Sequence, residues 1–287
     1  MKKNSNIAYA LIAPTYILFG IFFLFPLLFS VYLTFFKWNG FAPNMDFVGM
    51  KNYVRIFSDP NFLNALKNTC IYTVITVPLS ICISLVLSYI LDNKIFGYEV
   101  LKGIYFLPHI VSLVAVGVVW LWIFLPGKYG LVNSMLSVFS IKPQNWMADP
   151  KLAMGTLVVI GVWKSVGYNM VIFIAGLLSI PKSLYEAADI DGANSIQKFL
   201  RITLPQLKGT IFFVTVSSTI YALFQVFDIV KVTTNGGPIG KTEMIVTYLY
   251  KVGIKQFELG YASVIAFVLF LMTALITVIQ RKFLEER

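Results

Sequence analysis

Six stretches of this chain are almost continuously apolar, at about 7–36, 68–91, 104–125, 152–180, 209–230 and 259–280, with mixed polar segments between them. Each supplies the roughly 20 residues a helix needs to cross a bilayer core. Open strands are excluded at that depth, because lipid satisfies no backbone hydrogen bond. The pattern therefore predicts an all-α, polytopic membrane protein: six transmembrane helices in a single transmembrane domain over 1–287. The first run is too long for the apolar region of a signal peptide, so it reads as a membrane span behind Met1-Lys2-Lys3. Pro26 inside it predicts a kink. Residues 37–67 predict one or two short surface helices. Asp92-Asn93-Lys94 ends span two, and Pro126-Gly127 breaks the chain after span three.

The longest polar interruption, 181–208, is patterned as helix, sharp turn, helix. Ser183 stands three residues before Glu186, the spacing of a capping box. Asp191-Gly192 ends the first helix, since glycine accepts the left-handed geometry of a C-terminal cap. Asn194 caps a second short helix. Pro205 ends that one and suits the first turn of the next.

Composition agrees with membrane. The chain is 58% hydrophobic and 13% charged, against about 25% charged in soluble domains. The net charge of +10 raises nucleic acid as a partner. The basic residues are scattered between apolar runs, so anionic lipid headgroups are their expected neighbours and nucleic acid is not. All 23 basic residues except Lys164 lie outside the spans. They divide equally between the two sides, so charge alone orients the chain weakly. Lys2-Lys3 and Arg281-Lys282 favour inside termini. Cys70 and Cys82 fall about 18 Å apart along one predicted helix, too far for a disulfide. One histidine and two distant cysteines make no metal cluster.

Two sets of residues invite a chemical reading. Asn235-Gly236-Gly237-Pro238-Ile239-Gly240-Lys241-Thr242 approaches a phosphate-binding loop. It has Asn235 where the first glycine belongs, Pro238 in its middle and no strand before it. It predicts no nucleotide site. If the chain transports actively, hydrolysis belongs to a partner. The second set is polar and intramembrane. A charge near the bilayer centre costs about 2.5–3.5 kcal/mol on insertion scales, so Lys164 and Asp228 should face a cavity or a partner. Tyr221, Gln225 and Asp228 are spaced i, i+4, i+7 on one helical face, which Ser218 extends. With Phe224 beside them they suit a sugar, whose ring stacks on aromatic faces and whose hydroxyls bond polar groups. Tyr168 and Asn169 in span four follow the same logic. Two other readings stay open: the face joins two helices, or the charges reach the interface. His109, after Pro108, reads as structural. No nucleophile–base pair and no carboxylate pair share a segment, which disfavours an enzyme.

The run Glu186, Ala187, Ala188, Asp191, Gly192, Ala193, then Phe199, Ile202, Leu204 and Pro205 fixes ten positions in twenty residues. It resembles the coupling-loop signature of binding-protein-dependent ABC importer permeases. Further resemblances lie at Ala13–Phe35, in the run from Gly49 to Thr69, and in Thr234-Asn235-Gly236-Gly237-Pro238. They are similar to the first-type permease of carbohydrate importers, the maltose and glycerol-3-phosphate kind. The resemblance implies a bacterial or archaeal cell (inner) membrane, with both termini and a coupling helix between spans four and five in the cytoplasm. It implies a second permease subunit, two ATP-binding subunits and an extracytoplasmic substrate-binding protein. ATP and Mg would sit on those partner subunits, with no cofactor on this chain. Glu186 would meet the ATPase groove, Ala187 and Ala188 would permit close packing, and Gly192 would hold the turn. The competing class is a stand-alone secondary transporter or channel driven by an ion gradient. It would show paired intramembrane carboxylates and helices broken at matched positions in two halves.

Overall fold

The structure, a computed structural model, describes residues 5–92 and 97–284. Lys2, Lys3, Asn93, Lys94 and Arg287, which enter the expectations on orientation and on the end of span two, lie outside the described residues. The regular elements among the described residues are helical apart from a two-residue antiparallel ribbon, Phe36–Lys37 against Asp46–Phe47. Among the described residues, five helices are long and apolar enough to cross a membrane: Leu11–Leu33, Pro60–Leu91, Ala153–Leu178, Lys208–Thr233 and Leu259–Phe283. A bent pair, Tyr98–Ile110 and Leu113–Ile123, supplies the remaining span.

Four boundaries differ from the hydropathy pattern. Span one ends at Leu33, because Phe36 enters the ribbon. Its irregularity is a π-helical turn, Gly20–Leu24, directly before the segment that carries Pro26 near its start. Proline has no N–H and its ring crowds the carbonyl four residues back, and the wider turn absorbs both. Span two starts at Pro60 rather than near 68, since proline suits a first helical turn and Asp59 bonds the N–H groups of Asn61 and Phe62. Span three is not continuous. Its halves meet at 103° across the extended residues Val111 and Ser112. Span five is interrupted at Gln225 and runs on to Thr233.

Two compact units emerge from the packing. In the unit of the described residues up to Leu63 with Tyr248–Phe270, the helix Lys51–Ser58 is tied to the end of span one. The Asn52 amide donates to the carbonyls of Thr34 and Phe36 at 2.9 and 3.0 Å. Asp59 is the polar centre of this unit. One carboxylate oxygen accepts from the hydroxyls of Tyr248 and Tyr261, each at 2.6 Å. Arg55 pairs with Glu258 and lies 3.9 Å over the Tyr261 ring.

In the unit of Asn64–Thr247 with the described residues from Leu271, the main core joins Tyr72 of span two, Leu157 and Ile160 of span four, Val116 of span three and Ile229 of span five. Gly161 lets the Tyr72 hydroxyl approach the span-four backbone. The loop after span five is tied to span two. Asn64 and Asn68 donate to the Gly240 carbonyl, and the Thr69 hydroxyl accepts from the Ile245 N–H. So the run 235–242 is a turn that follows helix Val226–Thr233, with left-handed backbone at Asn235, Gly236, Ile239 and Gly240.

Candidate functional site: an exposed helix pair and an intramembrane cavity

Helix Lys182–Ile190 begins behind Pro181, which occupies the N-cap position and offers no side-chain bond. Ser183 lies inside the helix, so the expected Ser183 cap does not form. Proline already fixes the incoming backbone, and the first turn starts one residue too early for Ser183 to cap it. The other end is built as expected. Gly192 has φ +73°. The Ala193 N–H bonds the Ala188 carbonyl at 2.9 Å, and the Gly192 N–H bonds that of Asp189 at 3.1 Å. These two bonds are the Schellman pattern of a glycine-terminated helix. The Asn194 side chain accepts from the Gln197 N–H, and Gln197 returns the bond to the Asn194 N–H, both at 2.9 Å. Asp189 pairs with Lys198 across the turn.

The second helix, Ser195–Lys198, continues through a π-helical turn, Phe199–Thr203, into Leu204–Gln206. Pro205 thus belongs to that short turn and not to the first turn of span five. The base of the pair is anchored. Leu207 is buried with Leu177 and Ile180, and the Tyr185 hydroxyl lies 2.9 Å from that of buried Thr203. The tip is open. Glu186, Ala187, Asp191 and Gly192 are exposed, Ala188 and Ala193 half-buried. Ile190 is 87% exposed and Ile196 71%.

The second feature is a cavity of about 360 Å³, within the ~300–1,000 Å³ range of small-molecule sites. His109 of span three, Ser165, Tyr168 and Asn169 of span four, and Ser217, Ser218, Ile220, Tyr221 and Gln225 of span five line it. Asn169 and Ser218 join spans four and five through a buried hydrogen bond of 3.0 Å. The His109 and Tyr168 rings stack at 4.4 Å, 19° from parallel. The Tyr221 hydroxyl is buried and has no hydrogen-bond partner among the described residues. The wall therefore combines hydroxyls, amides and stacked rings.

Of the eight polar-path candidates, the structure brings together Tyr168, Asn169, Ser218, Tyr221 and Gln225. Phe224, Asp228 and Lys164 are not among the lining residues. Lys164 is 2% exposed and donates to the carbonyls of Pro108, His109 and Val111 at 2.5, 3.1 and 2.5 Å. Sequence reasoning missed His109, Ser165, Ser217 and Ile220. Ser165 and Ser217 carried a usable signal, since each stands four residues before a residue of the proposed face, Asn169 and Tyr221. For His109 there was none, because its place depends on the break in span three.

The sequence model of the family described as "Binding-protein-dependent transport system inner membrane component" matches residues 58–285. The chain belongs to that family. The permease is 34% identical over 289 residues to the probable ABC transporter permease protein YurN of Bacillus subtilis (strain 168), covering 99% of this chain and 98% of that protein. It is 35% identical to the sn-glycerol-3-phosphate transport system permease protein UgpA of Brucella abortus biovar 1 (strain 9-941), with 99% and 96% covered. It is also 35% identical to the arabinooligosaccharides transport system permease protein AraP of Bacillus subtilis (strain 168), with 96% and 87% covered. The crystal structure of a bacterial ABC transporter involved in the import of the acidic polysaccharide alginate contains a chain of the same fold. The TM-score is 0.85 and the identity 24%, over 99% of the permease and 96% of that chain. The resemblance read from Glu186–Pro205 is thus matched along almost the whole chain, and the permease is a multi-pass membrane component of a binding-protein-dependent transport system.

Proposed function

We propose that this permease is one of two unlike chains lining the path of an ATP-driven importer, and that the substrate is a carbohydrate or related polyol moved into the cytoplasm. Two ATP-binding subunits hold ATP and Mg and dock on the cytoplasmic side, one on each permease chain. An extracytoplasmic binding protein delivers the substrate. In this reading both termini are cytoplasmic, and the helix Lys182–Ile190 carries the closing motion of the ATP-binding subunits into spans four and five. Glu186, Ala187 and Ala188 form its contact face, while Asp191, Gly192, Ala193 and Pro205 keep its shape.

The observation that carries this reading is the helix pair itself. Its turn is locked by reciprocal bonds and its base is anchored on Leu207, yet Ile190 and Ile196 are held out to solvent. A rigid element that displays isoleucines at its tip is built to be covered by a partner. For the substrate, the support is the glycerol-phosphate and arabinooligosaccharide transport in the relatives' names, with a wall of hydroxyls, amides and stacked rings.

The test is gentle purification of the tagged permease from its native membrane, with the accompanying chains identified. An ATP-binding subunit and a second, related permease are expected. Recovery of this chain alone at native expression would overturn the importer reading in favour of a transporter that works by itself.

A further inference from the structure

We propose that Lys164 is a positioning residue for the cavity: its ammonium pins the break in span three and so holds His109 against Tyr168. The inference rests on the cavity being part of the substrate path, and its test separates the two.

A helix that stops inside a membrane leaves carbonyls without partners, and lipid offers none. Pro108 lacks an N–H, so the half-helix Tyr98–Ile110 is weakened within its last turn. Val111 and Ser112 are extended. Into this gap span four sends one buried side chain. A lysine ammonium has three donors and no acceptor, and here it meets three carbonyl oxygens, those of Pro108, His109 and Val111. The C-terminal end of a helix carries partial negative charge, which a cation complements. Arginine would bring a flat fork in place of a compact three-way donor.

The same face of span four grips the half-helix directly. At Gly167, three residues after Lys164, an added Cβ would run into the Tyr105 carbonyl and lie 3.1 Å from the Phe106 Cα. The half-helix is therefore pressed onto span four by Gly167 and stopped by Lys164. The carbonyl of His109 is one of the three and that of Pro108 just before it is another, and the His109 ring then meets Tyr168, one turn beyond Lys164 on span four. Lys164 does not line the cavity. It shapes the wall through the backbone of its neighbour.

His109 is the only histidine in the sequence, so a histidine-labelled permease in its assembled complex with unlabelled partners gives one imidazole signal. A ring stacked on Tyr168 is shielded. Tyr168→Leu sets the reference by moving the His109 ring protons downfield. Lys164→Met, which keeps the stem and removes the donors, is expected to move them in the same direction, and to raise KM for uptake severalfold with kcat changed less. An unmoved His109 signal in Lys164→Met overturns the proposal. A moved signal with unchanged uptake kinetics supports the pin and overturns the cavity's place in the path. If Lys164→Met does not accumulate, Lys164→Gln keeps two amide donors and should give an intermediate shift; no shift in that variant counts equally against the proposal.

Discussion

The turn of the helix pair at 181–207 and the cavity among spans three, four and five are held by interactions of different range. In the pair, the Asn194–Gln197 bonds reach three residues and the Asp189–Lys198 pair reaches nine. Around the cavity, Asn169 and Ser218 are 49 residues apart and Lys164 reaches back 56 residues to Pro108. A locally closed element keeps its shape while its surroundings move, which suits a part that transmits force. A wall assembled from three distant segments changes shape whenever those segments shift, which suits a part that must open and close around cargo.

Four substitutions test that division, in falling order of effect. Gly192→Pro puts a residue fixed near φ −65° where the chain needs +73°. Uptake should be lost while the amount in the membrane is kept, and normal uptake would remove the coupling role of the pair. Ile190→Asp leaves the turn intact and alters only the exposed tip. It should weaken recovery of an ATP-binding subunit about tenfold, or ~1.4 kcal/mol, with little change at the cavity. Tyr221→Phe removes one buried, unpartnered hydroxyl from a residue that lines the cavity. A single hydrogen bond is worth about 0.5–1.5 kcal/mol, so KM should rise up to about tenfold and subunit recovery should not change. Asn194→Ala removes a helix cap worth about 1 kcal/mol. A locally redundant pair should then lose less than half its uptake rate; a complete loss would mean that the pair depends on its surroundings as the cavity does.

The difference in range also explains what could be read without coordinates. Gly192 and Asn194 announce a turn and a cap through backbone chemistry that acts within a few residues, and both occur where expected. Ser183 failed because Pro181 competed for the same helix start. Five spans were legible as apolar runs, but hydropathy is blind to a bend inside one. Residues 104–125 are apolar on both sides of Ser112, so nothing in the pattern separates a straight span from a right-angled one. The clue was Lys164, a cation in an apolar run. It pointed to a partner in the membrane, which is the backbone of span three. Phe224 and Asp228 shared a helical face with Tyr221 on paper, yet the turn at Gln225 interrupts that face before it reaches Asp228.

Asp59 makes the other unit sensitive to acid. Burial alone would raise its carboxyl, but the hydroxyls of Tyr248 and Tyr261 and the N–H groups of Phe62 and Asn61 outweigh it and hold the group below the usual carboxylate range. A lowered folded value stabilises the unit fully above the unfolded value of about 3.9 and is lost as pH falls through the folded one. One proton therefore acts on three places at once: the start of span two, the helix that carries Tyr248, and the first turn of span six. Acid works here as a single release catch, and a plot of Tm against pH should lose much of its acid limb in Asp59→Asn.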